Sequence, residues 1–120
     1  MGNKHKAKGT SFETAIVGYL KEQDFPNARR TALAGENDSG DIHGVKHPDA
    51  TEVAIQCKNQ KSFKLSEWLN DTVTQASKLP KGLPLLVVKR PGKGASALGE
   101  SYAVMRLEDM VTLLKSAKFT

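Results

Sequence analysis

Residues Val53-Ala54-Ile55-Gln56-Cys57-Lys58 alternate with a period of two. Val53, Ile55 and Cys57 fall on one face of a strand, and Gln56 and Lys58 fall together on the other. A run of this kind reads as a half-buried strand that needs a core for its apolar face. The chain has 120 residues, one domain's worth, and that length supports a single modest core. The remaining elements must therefore be arranged around this strand.

Residues 1–9 are read as a flexible basic arm, and residues 10–120 as a single domain without internal repeats or a dividing linker. Thr10-Ser11-Phe12-Glu13 has the Thr-x-x-Glu spacing of a capping box. Phe12, Ala15, Ile16, Tyr19 and Leu20 recur at helical spacing, which predicts a helix over 11–24. Phe25-Pro26 stops it. A short strand is expected over 27–32, carrying Arg29 and Arg30. Ala34 to Gly40 is dense in turn residues, and short strands follow over 41–45 and 51–58. Ser66 is placed to cap a second helix with Leu65, Trp68, Leu69, Val73 and Ala76 on one side, closed by Pro80 and Gly82. Leu83 to Lys89 is continuously apolar up to its last residue and reads as a buried strand. A basic glycine-rich loop (90–96), a strand (101–106) and a helix (107–117) complete the chain. The order α-β-β-β-α-β-β-α implies an α/β fold, a small mixed sheet with helices packed on it.

The formal net charge is +5 and the sequence pI about 9.4, which favours a polyanionic partner. One cysteine excludes an internal disulfide and fits a reducing cytoplasm. No apolar run approaches the roughly 20 residues of a membrane span, and no apolar signal segment follows the basic N-terminus. A cytoplasmic location is expected, the host cytoplasm if the chain is phage-encoded.

An oxygen donor and a cation two residues apart, with an aspartate on a preceding strand, suit a divalent metal held beside a phosphate. This is nuclease chemistry: the metal makes a water nucleophilic and neutralises developing charge. Asp41 opens a strand directly after Gly40, where a phosphate can approach. Gln56 offers a neutral amide oxygen, and Lys58 a cation for the scissile phosphate. Glu13 lies on the border of the apolar stripe of the first helix. Each also has an ordinary reading: Asp41 as a turn residue, Gln56 as a polar residue on an exposed strand face, Lys58 as a solvated lysine, Glu13 as the capping-box glutamate.

The order of these residues resembles the PD-(D/E)xK nuclease superfamily. A helical glutamate, a Gly-Asp strand start, a Gln-x-Lys strand and then a helix are most similar to archaeal-type Holliday junction resolvases and their phage relatives. Glu13 matches the helix glutamate, Asp41 the motif aspartate, and Gln56 with Lys58 the (D/E)-x-K pair, over roughly residues 10–115. The resemblance implies a restriction-endonuclease-like fold and a catalytic set of Glu13, Asp41, Gln56 and Lys58. It also implies Mg²⁺, with Mn²⁺ substituting, held by Asp41, Gln56 and Glu13. Gln56 departs from the usual carboxylate and removes one negative charge from the metal site. A similar Gln-Cys-Lys occurs in Mrr-like restriction nucleases.

Arg29, Arg30, Lys89, Arg90 and Lys93 are candidates to line a DNA backbone, or else form a solvated basic face. Gln75 on the second helix is a minor candidate near the metal site. His43 and His47 are four apart outside any expected helix, which does not make a zinc site. Pro91-Gly-Lys-Gly94 is not a phosphate-binding Walker sequence, so no nucleotide cofactor is expected. Trp68 is assigned to the core. The leading expectation is a Mg²⁺-dependent endonuclease on branched DNA, most simply a Holliday junction resolvase. One active site per chain then requires a homodimer for two symmetric cuts. The alternatives are a restriction-like or repair nuclease on duplex or flap DNA, and a catalytically lapsed DNA-binding module on the same fold.

Overall fold

The computed structural model describes residues 3–31 and 41–120, with side chains from Lys8 onward. In chain order the elements are helix α1 (Asn3–Glu22), strands β1 (Arg29–Arg30), β2 (Ile42–His43) and β3 (Glu52–Lys58), and helix α2 (Leu65–Ala76). Strand β4 (Gly82–Val88), a 3₁₀ turn (Ala95–Glu100), strand β5 (Tyr102–Val104) and helix α3 (Leu107–Ser116) follow. This is the expected order of helices and strands with the 3₁₀ turn added. The turn expected over Ala34 to Gly40 lies outside the described residues.

The strands form one open sheet in the order β1-β2-β3-β4-β5. β3 and β4 run parallel, with Glu52 opposite Gly82 through Lys58 opposite Val88, and are joined through α2. The other neighbours are antiparallel. The continuous apolar run of β4 belongs in such a buried parallel pair. Pro84 lies outside the Leu86–Val88 stretch that pairs with β5, a position compatible with its missing N–H.

The two faces are covered differently. Phe12 and Ile16 of α1 pack on Ile42, Ile55, Cys57 and Val87. Trp68 of α2 packs on Leu86 and Val88 from the other side. β3 is therefore buried on both faces, and Gln56 is only 7% exposed. This corrects the reading of Gln56 as a residue on an exposed strand face. The alternation in β3 separates two helix-covered environments rather than core from water.

Two helix starts also differ from expectation. α1 begins at Asn3, so Thr10 to Glu13 lie within the helix and form no capping box at its start. α2 begins at Leu65 with Lys64 as its N-cap and no side-chain cap, so Ser66 is already helical. Two glycines answer to close approach. A Cβ at Gly82 would lie 2.0 Å from the carbonyl oxygen of Ala76, where α2 hands over to β4. Gly44, at φ +99°, leaves β2 with its α-carbon against the carbonyl of Asn27.

Candidate active site and basic cleft

Just before β2 begins, the Asp41 N–H donates to the carbonyl of Ile55 at 2.8 Å. The Asp41 carboxylate Oδ2 accepts the Cys57 N–H at 2.8 Å. That N–H belongs to the peptide joining Gln56 to Cys57. A side-chain oxygen thus serves β3 as an acceptor where the backbone of β2 has yet to start, which anchors the carboxylate at the middle of the motif.

Cys57 is buried on the α1 face. Burial pushes its thiol well above the ordinary value of 9.0, and the charges of Asp41 and Glu13 push in the same direction. Both carboxylates thus lie near enough for their charge to act on this thiol, Asp41 from the strand start and Glu13 from α1. Glu13 accepts a hydrogen bond from Arg30 Nε at 3.1 Å.

Gln56 and Lys58 leave β3 on the α2 side. Gln56 Oε1 lies 2.7 Å from the Thr72 hydroxyl, which is 2.8 Å from the Trp68 carbonyl one helical turn back. A hydroxyl has one proton and cannot fully serve two acceptors. Turning the amide over satisfies all three groups: Gln56 Nε2 donates to Thr72 Oγ1, and Thr72 donates to the Trp68 carbonyl. Gln56 Oε1 then faces away from α2. We favour this orientation. One turn along α2, Gln75 Oε1 is buried without a hydrogen-bond partner among the described residues.

Lys58 Nζ sits 5.9 Å from the centre of the Trp68 ring. Phe63 joins Trp68 to Tyr102, with 6.0 Å between centroids on each side. Arg90 lies 5.8 Å over Tyr102, and Glu100 pairs with Arg90 at 3.4 Å and Lys93 at 3.2 Å. Past the C-terminal ends of β3 and β4 the surface opens into two adjoining hollows. One, of about 500 Å³, is lined by Lys8, Gln60, Lys61, Ser62, Lys64 and Trp68. The other, of about 200 Å³, is lined by Lys8, Asn59, Gln60, Lys61, Lys89, Arg90 and Pro91. A concave surface with five cations and an aromatic wall suits a phosphate backbone.

The fold thus ties Asp41 to the backbone of Cys57, leaves Glu13 on α1 within electrostatic reach of it, sets Gln56 and Lys58 on the opposite face of the same strand, and puts Lys89 and Arg90 in the cleft with Lys93 beside it. Arg29 and Arg30 lie on β1 at the sheet edge, two strands from β3, and Arg30 is engaged by Glu13. His43 pairs with Glu52 at 3.1 Å and His47 with Asp49 at 3.1 Å, so different carboxylates hold them. Sequence reasoning alone misses Lys8, Lys61, Lys64 and Thr72. The regular spacing of Lys58, Lys61 and Lys64 is a signal for the cleft. Thr72 between Trp68 and Ala76, at i+4 from each, is a polar residue at a core position of α2.

Among the described residues, no three His, Cys, Asp or Glu side chains gather closely enough to hold a metal ion. The candidate donors are the two carboxylates of Asp41 and Glu13. Two suit a hydrated Mg²⁺, which binds through one or two carboxylates and keeps several waters. Compared with protein-family models, curated proteins and solved structures, the chain matches none.

Proposed function

We propose that this protein is a metal-dependent endodeoxyribonuclease of the PD-(D/E)xK type, with a restriction-endonuclease-like fold, acting on branched DNA as a Holliday junction resolvase. The observation that carries the reading is the clasp of Asp41 on the amide between Gln56 and Cys57. It ties the aspartate just before β2 to the Gln-x-Lys of β3, with Glu13 on the helix that packs on that strand and a basic cleft beyond Lys58.

Asp41 and Glu13 would hold Mg²⁺, and Gln56, bound to Thr72 on the α2 face in this state, would have to turn from that face to add its amide oxygen as a neutral third donor. Once bound, the ion supplies a nucleophilic water and neutralises charge on the phosphate. The clasp with the Cys57 N–H orients the Asp41 carboxylate before any ligand arrives. Lys58, braced by Trp68, would contact the scissile phosphate and stabilise its developing charge. Arg30 neutralises Glu13 in this state and must give way for that carboxylate to serve as a ligand. Lys8, Lys61, Lys64 and Lys89 carry the flanking backbone.

A second reading has a specific basis. Glu13 is bound to Arg30 and Gln56 to Thr72, as in a DNA-binding module whose catalysis has lapsed. The deciding experiment incubates the purified protein with Mg²⁺ or Mn²⁺ and labelled four-way junction, flap and linear duplex. Symmetric cuts in the junction, abolished in Asp41→Asn, are the expected result. Preference for flap or linear duplex overturns the resolvase assignment, and binding without cleavage of any substrate favours the lapsed module.

A further inference from the structure

Asn59 to Lys64 join β3 to α2, and Phe63 is the one apolar residue in that run. It does not sink into the core: 37% of it stays exposed, between Trp68 of α2 and Tyr102 of β5. Its ring meets Trp68 at 53° and Tyr102 at 82°, so neither neighbour lies parallel over it. Tyr102 is 41% exposed and sits on the edge strand opposite Val88. Trp68 packs on the same Val88 from α2. The aromatic row thus crosses the C-terminal ends of the parallel pair β3 and β4. Cations frame it, Lys58 over Trp68 and Arg90 over Tyr102. Trp68 also borders the hollow of about 500 Å³, with Gln60 and Ser62 beside it. Among the described residues, no acidic side chain lines that hollow or the one adjoining it.

We infer that this row is a stacking platform for unpaired bases of a DNA strand whose phosphates the lysines of the cleft hold. Phosphates ask only for cations and give no reason to expose Phe63 and Tyr102 to water. A base offers a flat face to the rings and polar edges that Gln60 and Ser62 can meet. An apolar protein partner would cover the rings but leave the surrounding lysine charges buried and unpaired. In a paired duplex the base faces are closed against one another, so the platform selects nucleotides that are single-stranded, as beside a branch point. The inference rests on the DNA contact of the proposed function and narrows the substrate to branched DNA with unpaired nucleotides. It needs neither metal nor cleavage. A protein that stacks bases and cuts nothing supports this inference and overturns the nuclease reading. One that cuts DNA but binds base-free strands equally well does the reverse.

The test compares two single strands of about ten nucleotides, oligothymidylate and an abasic strand of the same length, binding the full chain without divalent metal. Both carry the same phosphates, and only the first has bases. Fluorescence anisotropy of an end-labelled strand gives each affinity. The wild type is expected to bind oligothymidylate about tenfold more tightly than the abasic strand, with the same dependence on salt. Phe63→Leu keeps an apolar side chain and removes the ring. It is expected to lose most of that preference and to bind the abasic strand as the wild type does, with a melting temperature near wild type. Tyr102→Leu is expected to act in the same direction. Equal wild-type affinities for the two strands, or binding of neither, overturn the inference whatever the variants do. So does a Phe63→Leu protein that keeps the full preference, or one that loses affinity for both strands alike.

Discussion

The Asp41 carboxylate accepts the backbone N–H of Cys57 at 2.8 Å, so the candidate central ligand is also part of the pairing between β2 and β3. Asn at this position keeps an oxygen acceptor but removes the charge. Asp41→Asn is expected to fold with a melt near wild type, bind DNA, and lose Mg²⁺-dependent cleavage. Asp41→Ala also removes the hydrogen bond and is expected to be less stable by about 1–3 kcal/mol. Denaturant unfolding of the two variants beside the cleavage assay separates the structural role from the catalytic one. An Asn variant that cuts at the wild-type rate under saturating metal removes Asp41 from the site.

Gln56 gives a second test. Gln56→Glu restores the commoner carboxylate, and the Thr72 hydroxyl can turn from the Trp68 carbonyl to donate to it. The Mg²⁺ concentration for half-maximal cleavage is expected to fall. Turnover need not rise, because tighter binding in the ground state does not by itself speed chemistry. Gln56→Ala is expected to raise the metal requirement. Three superimposable Mg²⁺ titrations would make Gln56 a packing residue only. Cleavage gained in the Glu variant of an inactive wild type would identify a lapsed site.

Thr72 is 1% exposed and joins α2 to β3 through Gln56. Thr72→Val keeps the shape and strands a buried amide, at an expected cost of about 1–3 kcal/mol. Thr72→Ser keeps the hydroxyl and is expected to recover most of that stability. Urea unfolding of both variants measures the difference, and equal stabilities would show that the amide finds another partner.

Cys57 has a pH signature. Its folded value is raised above 9.0 by burial first, then by Asp41 and Glu13. The folded state therefore holds the thiol proton where the unfolded chain has released it. The contribution to stability is fully present below about pH 9 and falls as pH climbs above it. Native protein at pH 8 is expected to react with a thiol reagent only as fast as it opens, and Cys57→Ala is expected to flatten the alkaline limb of the stability profile. Rapid labelling under native conditions would contradict the buried, proton-holding thiol.

The cleft cations give a further test of the proposed DNA contact. Lys61→Glu and Lys89→Glu are expected to weaken DNA binding and to reduce the slope of log K against log salt by about 1 for each phosphate no longer neutralised. Arg29→Glu, at the β1 edge, is expected to change neither. Trp68 is the only tryptophan and lines the cleft, so its fluorescence reports DNA entering there. If Arg29→Glu weakens binding as much as Lys61→Glu, the DNA crosses the sheet edge instead.

Local rules are enough to read the elements and their order. Period two in 53–58, helical spacing in 12–20 and 65–76, and the unbroken apolar run at 83–88 are properties of neighbouring residues. They determine which faces must be buried whatever the fold. The same rules put Asp41 at a strand start and Gln56 with Lys58 on one face. What those faces meet is not local. Alternation says only that Gln56 opposes Ile55, which by itself points it to water; α2 covers that second face and supplies Thr72. Glu13 has the spacing of a cap because nothing near it in sequence reveals that α1 continues back to Asn3 or that Arg30 arrives from an edge strand. The Asp41–Cys57 clasp spans sixteen residues, and the cleft joins Lys8 to Lys89. Such contacts arise only when the sheet closes its pairings and the helices dock, because burial of the shared core decides which distant side chains meet.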